Sequence, residues 1–68
     1  MKISARNTIP GTITAIAKGP STATVKIDVG NGLTVTSTIT ADAAADLGLK
    51  EGDTVTAIIK ASDVLIGK

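Results

Sequence analysis

The sequence predicts an all-β fold, a small barrel with one short helix. Three observations carry this. Thr22 to Val29 alternates without a fault, with Ala23, Val25, Ile27 and Val29 on one face and Thr22, Thr24, Lys26 and Asp28 on the other, the period of a half-buried strand. Gly30-Asn31-Gly32 follows as a hairpin signal, because Asn and Gly tolerate the positive φ of a tight turn, and Leu33 to Ile39 alternates again. Only Thr40 to Gly48 abandons that period for a helical one.

In chain order, Ser4-Ala5-Arg6-Asn7 reads as an opening strand. Gly11 to Lys18, with Thr12-Ile13-Thr14-Ala15-Ile16-Ala17, reads as a second strand, closed by the turn pair Gly19-Pro20. The hairpin supplies the third and fourth. Thr40 can cap the helix, Asp42 suits its first turn and Gly48 ends it; so short a helix depends on packing rather than propensity. Lys50-Glu51-Gly52-Asp53 is a polar turn, Thr54 to Lys60 a further strand and Asp63 to Ile66 a short last one. This order fits an OB-like Greek-key barrel, with an SH3-like barrel as the next candidate. Residues 1–68 form a single domain, since two cores do not fit in 68 residues.

One core is itself meagre. The chain has no Phe, Tyr or Trp, and with no Cys or His it has neither disulfides nor the usual soft-metal ligands. Oligomerisation is the remaining way to stabilise so small a domain. Ile58 and Ile59, adjacent in one strand, point to opposite faces, and Ile13 and Ile16 are expected to do the same. A thin barrel has one interior, so the second apolar face predicts contact with another subunit.

Composition also narrows function. The net charge of +1 is too small to suggest a duplex nucleic acid partner. An OB barrel that binds single strands stacks bases on aromatic side chains, and none exist here. No apolar run approaches the roughly 20 residues of a membrane span, and Met1 to Asn7 lacks a secretory apolar segment, so a cytoplasmic protein is expected. Without His, and with no nucleophile beside a base, the chain is not expected to be an enzyme. The acidic residues lie mostly at strand edges and turns, and the glycines mark turns rather than a phosphate-binding loop.

What stands out is a pair of donor-rich segments. Ser4-Ala5-Arg6-Asn7 places Ser4 and Arg6 on one strand face, and Lys60-Ala61-Ser62 repeats the arrangement with Lys60 and Ser62. Each offers a cation, a hydroxyl and backbone N–H groups, and Asn7 adds an amide. Apart from Asp63, neither has a carboxylate nearby. Brought together, they would form a cavity of donors almost free of acceptors. Such a cavity suits a fully deprotonated tetrahedral dianion, which only accepts hydrogen bonds, over a phosphate that keeps a proton; bonds from Arg6 and Lys60 would be the strong ones. The helix start at Thr40 could add a hydroxyl and free N–H groups. The residues alone leave another reading open, in which Arg6 and Lys60 are ordinary edge charges while Ser4 and Ser62 cap turns.

At these residues the sequence resembles the molbindin (Mop) family over nearly its whole length. Ile3-Ser4-Ala5-Arg6-Asn7 with Gly11-Thr12-Ile13 is similar to the family's opening. Thr38-Ile39-Thr40 before the Ala-rich helix, with Gly48-Leu49-Lys50-Glu51-Gly52-Asp53, resembles its middle, and Ile59-Lys60-Ala61-Ser62-Asp63-Val64 its close. The resemblance implies an OB-like unit that binds molybdate or tungstate at subunit interfaces, without an organic cofactor, in a homo-oligomer assembled as a hexamer, a trimer of dimers. It implies a site drawing on Ser4, Ala5, Arg6 and Asn7, on Lys60, Ala61 and Ser62 across an interface, and on Thr40. A chain without a helix-turn-helix or nucleotide-binding motif is then expected to store or buffer the oxyanion. The rivals are a structural oligomerisation module and an OB-type nucleic-acid module.

Overall fold

The computed structural model describes residues Met1–Lys68. The chain forms β1 (Asn7–Lys18), β2 (Thr22–Gly30), β3 (Leu33–Thr40), α1 (Ala41–Asp46), β4 (Thr54–Ile59) and a 3-10 turn over Ala61–Asp63. The strands make one antiparallel sheet in the order β3-β2-β1-β4, curled into a half-barrel.

The organising element is β1. Its first half, Asn7 to Gly11, pairs only with β4, Thr12 pairs with both neighbours, and Ile13 to Lys18 runs along β2. The strand is therefore longer than the Gly11–Lys18 run that alternation predicts. Pro10 belongs to it because β1 has no second neighbour there, so the missing N–H can face the open side. Gly11 sits where β1 passes from one partner to the other. A Cβ at that position would lie 2.6 Å from Ile27 Cγ2 and 2.7 Å from the Asp28 carbonyl oxygen, so the close crossing requires glycine.

A bulge between Ile13 and Ala15 corrects one expectation. Ile13 lies opposite Ile27 and Ile16 opposite Val25, two residues of one strand face. The extra residue shifts the alternation, so Ile13 and Ile16 both turn inward instead of to opposite faces. Ile13 is 1% exposed and is the centre of a cluster with Val25, Ile27 and Ala57; Ile9, Ile16, Val35, Ile39 and Leu49 pack around it. No polar or charged residue is buried.

The β2–β3 hairpin matches its sequence signal. Gly30, Asn31 and Gly32 all have positive φ, and Asp28 Oδ1 accepts from the Gly30 N–H at 2.9 Å. Thr40 caps α1, its hydroxyl oxygen accepting from the Ala43 N–H at 3.0 Å. Ala44 is the buried residue of α1, which lies against β2 and β3. The polar turn after it is tied down twice. Lys50 N–H donates to Asp53 Oδ2, and the Gly52 N–H and Asp53 carbonyl bond the Ile13 backbone at 2.8 and 2.9 Å.

Two expected strands are not formed. Ser4, Ala5 and Arg6 lie outside any strand, and Asp63 to Ile66 gains no partner. Instead, the chain turns at Ala61–Asp63 and runs on with Leu65 and Ile66 each 90% exposed. Edge strands β3 and β4 leave the barrel open between them. The opening is an apolar groove of about 390 Å³ whose walls include Val35, Ile39, Val55 and Ile59, with Leu47 and Leu49 at its side. Ile58, on the opposite face of β4 from Ala57 and Ile59, is 40% exposed. No helix is long and apolar enough to cross a membrane.

Candidate anion-binding site

The last rung of the β1–β4 ladder pairs Asn7 with Ile59. Arg6 precedes one partner and Lys60 follows the other, so antiparallel pairing alone brings the two donor segments to one end of one strand pair. The sheet unites them within a single chain, so their convergence needs no second copy. The Asn7 Nδ2 group reinforces the rung by donating to the Ile59 carbonyl at 3.1 Å.

Around that rung the polar side chains other than Asn7 face solvent. Ser4 and Arg6 are exposed and Ala5 is half-buried, but Ser4 and Arg6 are bends outside the ladder, so the period of two that would put them on one face does not extend to them. Lys60, Ala61 and Ser62 are exposed as well, and they lie at the turn, where the period of two likewise no longer applies to Lys60 and Ser62. Ser4, Arg6, Lys60 and Ser62 take part in none of the chain's side-chain hydrogen bonds. Ser62 caps nothing, because the turn begins at Lys60 without a side-chain cap. It is closed by Asp63 N–H on the Lys60 carbonyl at 2.9 Å and Val64 N–H on that of Ala61 at 3.3 Å. Such a turn leaves its first N–H groups, on Ala61 and Ser62, without acceptors inside it.

Thr40 stands apart. It pairs with Thr22, beside the end of β1 marked by Lys18, whereas Asn7 begins that strand. Along the strand this separation amounts to roughly 36 Å of contour at about 3.3 Å per residue. One chain therefore does not bond Thr40 to the other seven residues. The expected supply of free N–H groups at the helix start is also reduced, since Ala41 donates to the Ser21 carbonyl and Ala43 to Thr40 itself. The Thr40 oxygen accepts in that cap, which leaves its own proton for another acceptor.

Chemically, the terminal cluster is a set of cationic and neutral donors around one rung, with no carboxylate bonded to Arg6 or Lys60. It is suited to hold a small oxyanion through charge-assisted bonds. No group of three or more His, Cys, Asp or Glu residues is placed to hold a metal cation. Sequence reasoning took Asn7 as one more donor and missed its bond to Ile59. Only the register between residues 52 apart reveals it.

Comparison with known proteins places this geometry in context. Residues 3–66 match the TOBE domain family. The chain is 48% identical over 66 residues to molybdenum-pterin-binding protein 3 of Clostridium pasteurianum, covering 97% of each. Its fold superposes on a molybdate-binding protein from Sporomusa ovata with a TM-score of 0.93 at 41% identity, over the whole of both chains. It likewise matches the cytoplasmic molybdate-binding protein ModG, solved with molybdate bound, with a TM-score of 0.91 and 42% identity over 96% of this chain and 46% of the other. All three are described as binding proteins, and none as an enzyme.

Proposed function

The chain belongs to the TOBE-domain family and stands within it among the molbindin (Mop) proteins, and from that premise we propose that it binds molybdate or tungstate and stores or buffers it in the cytoplasm. The observation that carries this reading is the meeting of Ser4-Ala5-Arg6-Asn7 and Lys60-Ala61-Ser62 at the Asn7–Ile59 rung, with Arg6 and Lys60 unspent. Donors without acceptors satisfy a dianion whose four oxygens carry no proton. A hydrogen phosphate ion would present its O–H to a second donor. Arg6 and Lys60 hold charge, Ser4 and Ser62 offer hydroxyls, and the backbone N–H groups of Ala5, Ala61 and Ser62 add neutral donors.

The site acts within a homo-oligomer, a hexamer built as a trimer of dimers, with oxyanions held where subunits meet. Two features support self-association: the open apolar side of the half-barrel, and the tail, where Leu65 and Ile66 are almost fully exposed. Thr40, remote from the cluster along its own sheet, completes the shell from a neighbouring copy.

Titration calorimetry with sodium molybdate, tungstate, sulfate and phosphate tests the binding. Saturable heat with the first two, and none with phosphate, is the expected result. Absence of heat with millimolar molybdate ends the proposal and favours the structural oligomerisation module, which the groove and tail alone would also fit. Assembly is tested separately by solution mass. Leu65→Asp combined with Ile66→Asp should reduce the oligomer to smaller species, and an unchanged mass removes the tail from the interface.

A further inference from the structure

The structure assigns Asn7 a positioning role: it clamps the two donor segments together, and does not itself touch the anion. This deepens the oxyanion reading above and rests on it. The group 3.1 Å from Asn7 is the Ile59 carbonyl oxygen, which can only accept, so the amide must present its NH₂ to it. That bond uses one of the two N–H donors of the amide and fixes its orientation, so the other prong is the carbonyl oxygen Oδ1, an acceptor. Turned towards a dianion it would repel it.

Placement agrees with chemistry. Along β1, Asn7, Ile9 and Gly11 are half-buried and Ile13 is buried, while Thr8, Pro10 and Thr12 between them are exposed. Asn7 thus ends the inward row, whereas Ser4, Arg6, Lys60 and Ser62 are exposed. Its bond is the one side-chain hydrogen bond that joins the two ends of the chain.

The clamp also sits beside two cations. Arg6 and Lys60 flank the same terminal rung, and neither is bonded to a carboxylate. Both cations stand at the end of a ladder that has no further rung. A neutral side-chain bond across that rung holds the donors in place without supplying a competing anion. The shell is then formed beforehand, and binding does not have to order it.

The test is NMR on the full chain with sodium molybdate as the probe. In the anion-free protein one Asn7 Nδ2 proton should exchange slowly, and it should remain protected when molybdate is added, while the backbone amides of Ala61 and Ser62 move. Asn7→Ala should speed exchange at Ile9 and Ile59, whose N–H groups face across the β1–β4 ladder, with recovery at saturating molybdate, and leave Ile13 unchanged. It should weaken molybdate and tungstate by the same factor, roughly 2- to 12-fold for one ordinary hydrogen bond. Unprotected Asn7 amide protons in the anion-free protein, shifting only with molybdate, would make Asn7 a ligand and overturn the assignment. So would exchange that rises through the whole sheet in the variant and does not recover. If Ala61 and Ser62 ignore molybdate in the wild type, the oxyanion reading fails, while protection of the Asn7 amide without anion still decides whether the clamp exists.

Discussion

The middle of β1 and its amino-terminal end use the same strand for opposite purposes. At Ile13 the strand meets β2, and the Ile13 backbone also bonds Gly52 and Asp53; the side chain is buried among aliphatic neighbours, with no polar group in the interior. At Asn7 it has one partner, half-exposed surroundings and unspent cations on either side of the rung. Stability is concentrated where polar groups are excluded, and recognition where donors outnumber acceptors. In so small a domain the two cannot be far apart. They lie six residues apart on one strand, which lets the rigid middle hold the site in place.

The sharpest way to break this contrast is to damage the middle. Ile13→Ala removes the largest fully buried side chain, and by analogy with other buried truncations should cost about 2–5 kcal/mol. Small domains hold roughly 5 kcal/mol or less, so urea unfolding should begin near zero denaturant. A loss below about 1 kcal/mol would mean that the middle is not where stability resides, and that contacts between copies dominate.

Damage at the end should do the reverse. Arg6→Ala removes one charge-assisted contact and should weaken molybdate binding by about 1.5–3 kcal/mol, roughly 10- to 150-fold, by calorimetry. Arg6 is exposed and bonded to nothing in the chain, so unfolding of the anion-free protein should be unchanged. An equal loss of stability and affinity would erase the division between the two regions. Unchanged affinity would move the anion elsewhere.

The same division explains what the sequence made legible. Period-2 alternation marks a strand with one wet face, and it located β2, β3 and β4 to within one residue. It misplaced the start of β1, because a strand paired on one side can include Pro10, and it misread Ile13 against Ile16, because a bulge is invisible to a fixed period. The apolar run ending at Ile66 was expected to form a short last strand. Val64, Leu65 and Ile66 are consecutive apolar residues without alternation, and the chain offers them no partner. For the site, residue type was the informative signal: unpaired donors without carboxylates marked Ser4–Asn7 and Lys60–Ser62, and register then joined them. Type could not reveal that the Asn7 amide is committed to Ile59, nor that Thr40 belongs to the far end of the sheet.

Thr40 gives the smallest effect and the finest division between the regions, since its hydroxyl serves the fold and is proposed to serve the site. Its oxygen accepts from the Ala43 N–H, so Thr40→Ala should cost about 1 kcal/mol of stability, within a range of roughly 0.5–2. Thr40→Ser keeps both cap and proton and should restore most of it. Were the cap its whole role, molybdate affinity per assembled oligomer would be the same in all three proteins. If the free proton reaches an anion held by a neighbouring copy, Thr40→Ala should also weaken binding, by up to about 3 kcal/mol for a bond to a charged acceptor, and Thr40→Ser should not. Calorimetry and solution mass on the same samples separate the outcomes, because a loss of affinity that tracks a loss of oligomer belongs to assembly rather than to the hydroxyl.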